Sequence, residues 1–138
     1  MGDLAHYMSS KILDEIFGGT NYVPEATLYL GLSTSTIADD GTNITEPTDS
    51  NYARVSITNN KINWDTASVV SGKSQIQNAV AFEFPAANTG FGTITDWFIS
   101  DAASGGNIIA YGALNASKTI GSGEKLIIPI DGMTITLD

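Results

Sequence analysis

Downstream of residue 26 apolar side chains recur at every second position, and this alternation constrains the fold more than any other feature of the chain. Leu28, Leu30 and Leu32 alternate with Thr27, Tyr29 and Gly31; Ala53, Val55 and Ile57 alternate with Arg54, Ser56 and Thr58; Val80, Phe82 and Phe84 alternate with Ala81 and Glu83. A period of two sends successive side chains to opposite faces of an extended backbone, so each run reads as a strand with one face in a core. The same reasoning places strands at Ile62 with Trp64, Thr93 to Ser100, Ile108 to Leu114, Lys118 to Ile120, Lys125 to Ile130 and Met133 to Leu137. Between them stand Asn59-Asn60, Asp101 to Asn107, Gly121-Ser122-Gly123 and Asp131-Gly132, residues that favour turns. Eight or nine short strands without crossover helices predict an all-β fold, an antiparallel β-sandwich of jelly-roll-like type. Pro129 cannot donate a ladder hydrogen bond, which predicts an edge or a bulge there.

One segment keeps a different period. Leu4, Met8, Ile12 and Ile16 stand four apart, with Leu13 and Phe17 beside them, so Asp3 to Phe17 reads as one N-terminal amphipathic α-helix. Asp3 is placed to cap its start, and Gly18-Gly19 to end it through a left-handed turn. Pro24 then returns the chain to an extended path. The expected organisation is a single domain over 1–138, with a helical arm over 1–19 and the β-sandwich over 26–138. The polar stretch from Ser33 to Asn51 contains Asp39-Asp40-Gly41, Glu46-Pro47 and Asp49-Ser50-Asn51 and reads as a surface loop, of a length associated with function or mobility.

Charge and composition exclude several classes. Six Lys and Arg stand against 15 Asp and Glu, a net charge of -9, which is wrong for gripping phosphate backbones, so nucleic acid is not an expected partner. With 42% hydrophobic and 15% charged residues the chain should fold rather than stay disordered. The absence of Cys removes disulfides, thiolate metal sites and a cysteine nucleophile, and fits synthesis in a reducing cytoplasm. No run approaches the ~18 apolar residues of a membrane span, and the start lacks the residue order of a signal peptide. The expectation is a soluble protein with no membrane partner.

The residues that could carry chemistry do not form a recognisable constellation. His6, the sole histidine, falls at the start of the helix beside Leu4 and Met8 and is expected to pack or contact a neighbour. Ser71-Gly72-Lys73-Ser74 resembles the end of a phosphate loop, but Ala67 stands where the leading glycine belongs. Asp39, Asp40, Asn43 and Glu46 offer oxygen ligands at a spacing that does not match an EF-hand, so a turn is favoured over calcium. Glu83 and Asp96 could pair as acid and base, but a sandwich sends such residues outward by default. Tyr22, Tyr29, Tyr52, Trp64, Phe91 and Trp97 could form a sugar-binding shelf, although aromatic residues in strands usually belong to a core. No catalytic residue, cofactor or metal is expected. Contacts with another subunit or another protein are expected at the helix, through Tyr7, Met8, Lys11 and Ile12, against the alternative that these residues dock on their own sandwich.

Several stretches carry a resemblance. Phe17-Gly18-Gly19-Thr20 and Ala26-Thr27-Leu28-Tyr29-Leu30-Gly31-Leu32-Ser33-Thr34 resemble the N-terminal portion of a family of small tailed-phage virion proteins. Glu46-Pro47, Tyr52-Ala53-Arg54-Val55, Phe82, Phe84-Pro85-Ala86-Ala87 and Gly92-Thr93-Ile94-Thr95 are similar to its pattern. So are Asp101-Ala102-Ala103-Ser104-Gly105-Gly106-Asn107, Tyr111-Gly112-Ala113-Leu114 and Leu137-Asp138.

Members of that family are often labelled tail-fibre-like, while some similar proteins are capsid cement, or decoration, proteins with a jelly-roll-like fold. The resemblance implies a homo-oligomer, dimer or trimer, that sits on the outer capsid surface of a bacteriophage head and clamps neighbouring copies of the major capsid protein. It brings no catalytic motif. Many modest contacts to an assembled shell would stabilise it by mass action, and an acidic chain suits the outside of a DNA-filled head. The alternative is a tail-fibre or receptor-recognition domain holding a host surface glycan.

Overall fold

The computed structural model describes residues 2–137. Met1 and Asp138, the two ends of the expected domain and the second residue of the Leu137-Asp138 pair, lie outside the described residues. The elements are β1 (Gly2–Leu4), α1 (His6–Gly18), β2 (Thr27–Ser33), β3 (Val55–Thr58), β4 (Ser68–Val70), β5 (Lys73–Gln77), β6 (Phe82–Glu83), β7 (Gly90–Ser100), β8 (Ile108–Gly121), β9 (Ile127–Ile128) and β10 (Thr134–Leu137). Eight strands form one sheet in the order β3-β2-β7-β8-β1-β10-β5-β4, and β6 pairs with β9 in a second, small sheet. The chain thus adopts the expected all-β fold with one N-terminal helix. Its layers are unequal, which differs from the even split of a jelly roll. The large sheet is also mixed, because β1 runs parallel to β10 and antiparallel to β8.

The core lies between the two sheets. Leu30, Leu32, Trp97, Ile99 and Ala110 of the large sheet meet Phe82, Phe84, Leu126 and Ile128 from the small sheet and its flanks. One cross-strand row shows how the sequence fits together: Leu32, Trp97, Gly112, Gly2, Ile135 and Ile76 stand in register across six strands. The Trp97 indole lies flat over Gly2 and Gly112, where a Cβ on either glycine would come within 2.6 Å of the ring. In the next row the Phe98 ring covers Gly31 on one side of the pair. Buried Asn78 ties the later strands together: its Nδ2 donates to the Val80 and Pro129 carbonyls at 2.8 Å, and its Oδ1 accepts from the Met133 N–H at 2.9 Å.

Several boundaries differ from expectation for physical reasons. The helix begins at His6 rather than Asp3, because Gly2–Leu4 is held in the sheet by partners on both sides. Asp3 therefore does not cap α1; its carboxylate accepts a 2.6 Å hydrogen bond from the Thr136 hydroxyl. The cap residue is Ala5, which has no polar side chain to cap with; its own N–H donates to the Ile109 carbonyl at 2.9 Å and the Met8 N–H turns back to the Ala5 carbonyl at 3.0 Å, so backbone acceptors satisfy these donors. Gly19, at φ 66°, ends the helix as anticipated. The strands expected at Ile108 to Leu114 and Lys118 to Ile120 are one strand, β8, with residues 114–117 bulging opposite Thr95. Ile62 with Trp64 forms a turn and an isolated bridge to Asn78 instead of a strand. Strands β4 and β5 lack strong alternation and so leave no periodic signal in the sequence; Ser71 (φ 51°) and Gly72 (φ 80°) join them in a two-residue hairpin, which is the structural role of the Ser71-Gly72-Lys73-Ser74 segment. Among the described residues no helix is long and apolar enough to cross a membrane.

Candidate functional surface

The long loop after β2 is irregular, as expected, but polar contacts pin it along its length. Arg54 is the centre of the tightest cluster. Its Nε and Nη2 donate to the two carboxylate oxygens of Glu46, both at 2.9 Å, and its Nη1 donates to Ser100 Oγ and to the Ala102 and Gly105 carbonyls at 2.7, 2.8 and 2.9 Å. The guanidinium also stacks 4.9 Å from the centroid of the Phe98 ring. Tyr52 donates its hydroxyl to Glu46 at 2.8 Å, accepts the Leu32 N–H at 3.0 Å and lies against Phe84 and Phe91. Burial opposes the charged form of Glu46, yet the hydrogen bonds from Arg54 and Tyr52 outweigh it and hold the carboxyl below its ordinary pKa. Burial, with the bond to Glu46, pushes the Tyr52 phenol well above its ordinary pKa. Three stretches that carry the family resemblance, Glu46-Pro47, Tyr52 to Val55 and Asp101 to Asn107, therefore meet at one guanidinium.

A second clamp closes at Asp49. Its carboxylate accepts backbone N–H groups from Asn51 and Asn88 on Oδ1 and from Thr89 and Gly90 on Oδ2, at 2.7 to 3.0 Å. Desolvation acts against the anion, but these four donors dominate and depress the pKa far below the usual carboxylate range. The clamp fastens the loop to the entry of β7.

The other candidate groups are not brought together. Asp39 accepts the Tyr111 hydroxyl at 2.6 Å; desolvation and that bond push the phenol up to about 12. Asp40 accepts from the Thr42 N–H and hydroxyl, and Asn43 Nδ2 donates to the Thr36 carbonyl, so each serves its own turn. Among the described residues no three His, Asp or Glu converge as a metal site. Glu83 is exposed and bonds Lys125 at 2.6 Å, whereas Asp96 stands in the other sheet on the face opposite core Trp97, the expected outward side, and is buried there by the loop whose Ile37 N–H it accepts at 3.3 Å. The His6 N–H donates to the Asp39 carbonyl at 3.4 Å and its side chain is exposed. Trp64, Phe91 and Trp97 are core residues rather than a surface shelf, and Tyr52 packs beside them.

The helix places its apolar residues on two different duties. Met8 is only 5% exposed, so it cannot offer itself to a partner: it docks on its own sheet. Tyr7 and Ile12 are half-buried, and Lys11 is exposed with its Nζ 5.6 Å from the Tyr7 ring centroid. The free apolar face lies further along, at Leu13 (57% exposed), Ile16 (65%) and Phe17 (82%), with Val23 beyond the helix also exposed. Spacing in sequence marks Met8, Ile12, Leu13, Ile16 and Phe17 as one stripe; which part the sheet covers depends on the start of α1 being anchored at Ala5.

A groove accompanies this face. The small sheet leaves part of the large sheet's inner face uncovered, and a cavity of about 480 Å³ opens there between Leu4, Leu28, Trp64, Ile76, Ile109 and Ile135. Pro24, Asn59, Asn60 and Lys61 also line it. The Trp64 indole N–H is buried without a partner. The groove has no sequence signature, because its residues come from seven separated segments, whose apolar members read as ordinary core.

The fold and this surface define a small β-rich domain that engages Arg54, Glu46 and Asp49 in its own loops and presents apolar helix surface outward. Residues 3–136 match the family model described as podophage GP4 fiber I protein gp80. The chain belongs to that family and is a structural protein of a phage virion. No curated protein matches the chain.

Proposed function

We propose that the chain is a non-enzymatic subunit of a virion fibre that acts by protein contact, assembling with copies of itself and with neighbouring virion proteins. The family match over residues 3–136, to a protein described as a fibre, carries this reading. The structure is compatible with it in a specific way. The depressed carboxylates Glu46 and Asp49 and the buried side chain of Arg54 are engaged in holding loops, and an apolar face at Leu13, Ile16 and Phe17 stands exposed. Such a surface suits a permanent subunit, since exposed apolar patches are a liability in an isolated one.

A second reading keeps the chain on the outer capsid surface as a cement protein that clamps the major capsid protein. Its support is the resemblance of motifs such as Phe84-Pro85-Ala86-Ala87 to proteins of both kinds, together with an acidic charge of -9 that suits the outside of a DNA-filled shell. Immunogold labelling of intact virions separates the two. Label confined to the tail supports the fibre; label spread over the head replaces it with cement. Recognition of a host glycan would add a third partner to the fibre reading, and a glycan array probed with the intact protein measures it directly.

A further inference from the structure

We propose that the Leu13, Ile16 and Phe17 face of α1 from one copy docks in the groove between Leu4, Leu28, Ile109 and Ile135 of a second copy, with Phe17 as the anchor. This rests on the reading of the chain as a self-assembling subunit and names the contact. The three helix residues are spaced i, i+3 and i+4, so they share one face. Phe17 is 82% exposed and no element of its own chain covers it, while the first turn of α1 is fixed by Ala5 and buried Met8. The groove, at about 480 Å³, has room for Phe17 and a neighbour, and its walls are aliphatic.

Charge favours a second copy as the occupant. Asp14 flanks the helix face on the Phe17 side, and the groove rim carries Lys61, whose Nζ donates to a neutral partner, the Asp65 carbonyl, at 2.7 Å. In a chain of net charge -9 with six basic residues, a lysine at the mouth of the apolar groove supplies the local attraction that offsets long-range repulsion between copies. Each copy carries both a knob and a groove, so the contact either closes reciprocally into a twofold dimer or repeats head-to-tail into a ring or a chain.

Sedimentation velocity on the full chain tests this. Wild type should associate; Phe17→Ser should raise the dissociation constant about tenfold or more, as loss of a buried aromatic anchor does. Asp14→Lys and Lys61→Glu should each weaken association, and an equimolar mixture of the two single variants should recover part of it. All three substitutions are at exposed positions, so a matching thermal midpoint shows that the fold is kept. Wild type that associates while Phe17→Ser and Lys61→Glu associate equally well overturns this contact and leaves self-assembly standing. Wild type that stays monomeric at high protein concentration overturns self-assembly and the contact with it. Phe17→Ser that lowers incorporation into virions without changing self-association assigns the face to a different virion protein and overturns the proposal.

Discussion

At the residue scale, stability concentrates in a few sites where a single atom decides the packing. A Cβ on Gly31 would collide with the Phe98 ring, which is itself held on its other side by the Arg54 guanidinium. Gly31→Ala should therefore cost about 1–3 kcal/mol, the range for overpacking a tight interior, measured by chemical denaturation. Arg54→Ala leaves Glu46 and two carbonyls without their donor. With the guanidinium side chain only 6% exposed, the expected loss is about 3–5 kcal/mol, a large share of a typical domain's stability. Acid should act through the carboxylates. Asp49 and Glu46 both have depressed folded pKa values, so they stabilise the fold above their unfolded values near ~4, and this contribution is lost as pH falls through the folded values. Thermal midpoints should hold between pH 5 and 8 and drop below about pH 4, and Asp49→Asn should flatten that acid slope. At the other end, the raised phenols of Tyr52 and Tyr111 keep protons that the unfolded chain releases above about pH 10, so stability should fall there too.

At the element scale, the decisive piece is also the shortest reading error. Alternation over three residues is too brief to register against a helical stripe that includes Leu4, so β1 was absorbed into the helix. The parallel pairing of Gly2 with Ile135 and Asp3 with Thr136 is set by residues 133 positions away and leaves no local trace. The long alternating runs of β2 and β7 were legible because each buries one face over many residues. The division of α1 into a docked Met8 and a free Phe17 was not, since periodicity reports that a face is apolar and not what covers it. Deleting the N-terminus through Leu4 should unfold the protein, because β8 and β10 would both lose their shared neighbour. Circular dichroism showing an intact β signal and unchanged midpoint in that variant would contradict the assigned topology. Removal of the whole arm is for the same reason an unsuitable probe of the helix alone.

At the scale of the whole molecule, the unequal layers produce the surface. Eight strands facing two leave aliphatic groups uncovered, and no residue of α1 lines that opening. The virion class followed from scattered motifs whose structural reason is now visible: Glu46, Arg54 and the turn from Asp101 to Asn107 form one clamp, so these segments constrain one another across more than fifty residues. What the groove receives was not legible, because a partner surface is encoded jointly by two molecules. The central claim is that this chain works by assembling into the virion. Quantitative mass spectrometry of purified particles is its most direct measurement: the account predicts a fixed stoichiometry in whole multiples of the particle's symmetry, unchanged by washing in high salt. Variable, substoichiometric amounts that wash away would contradict it.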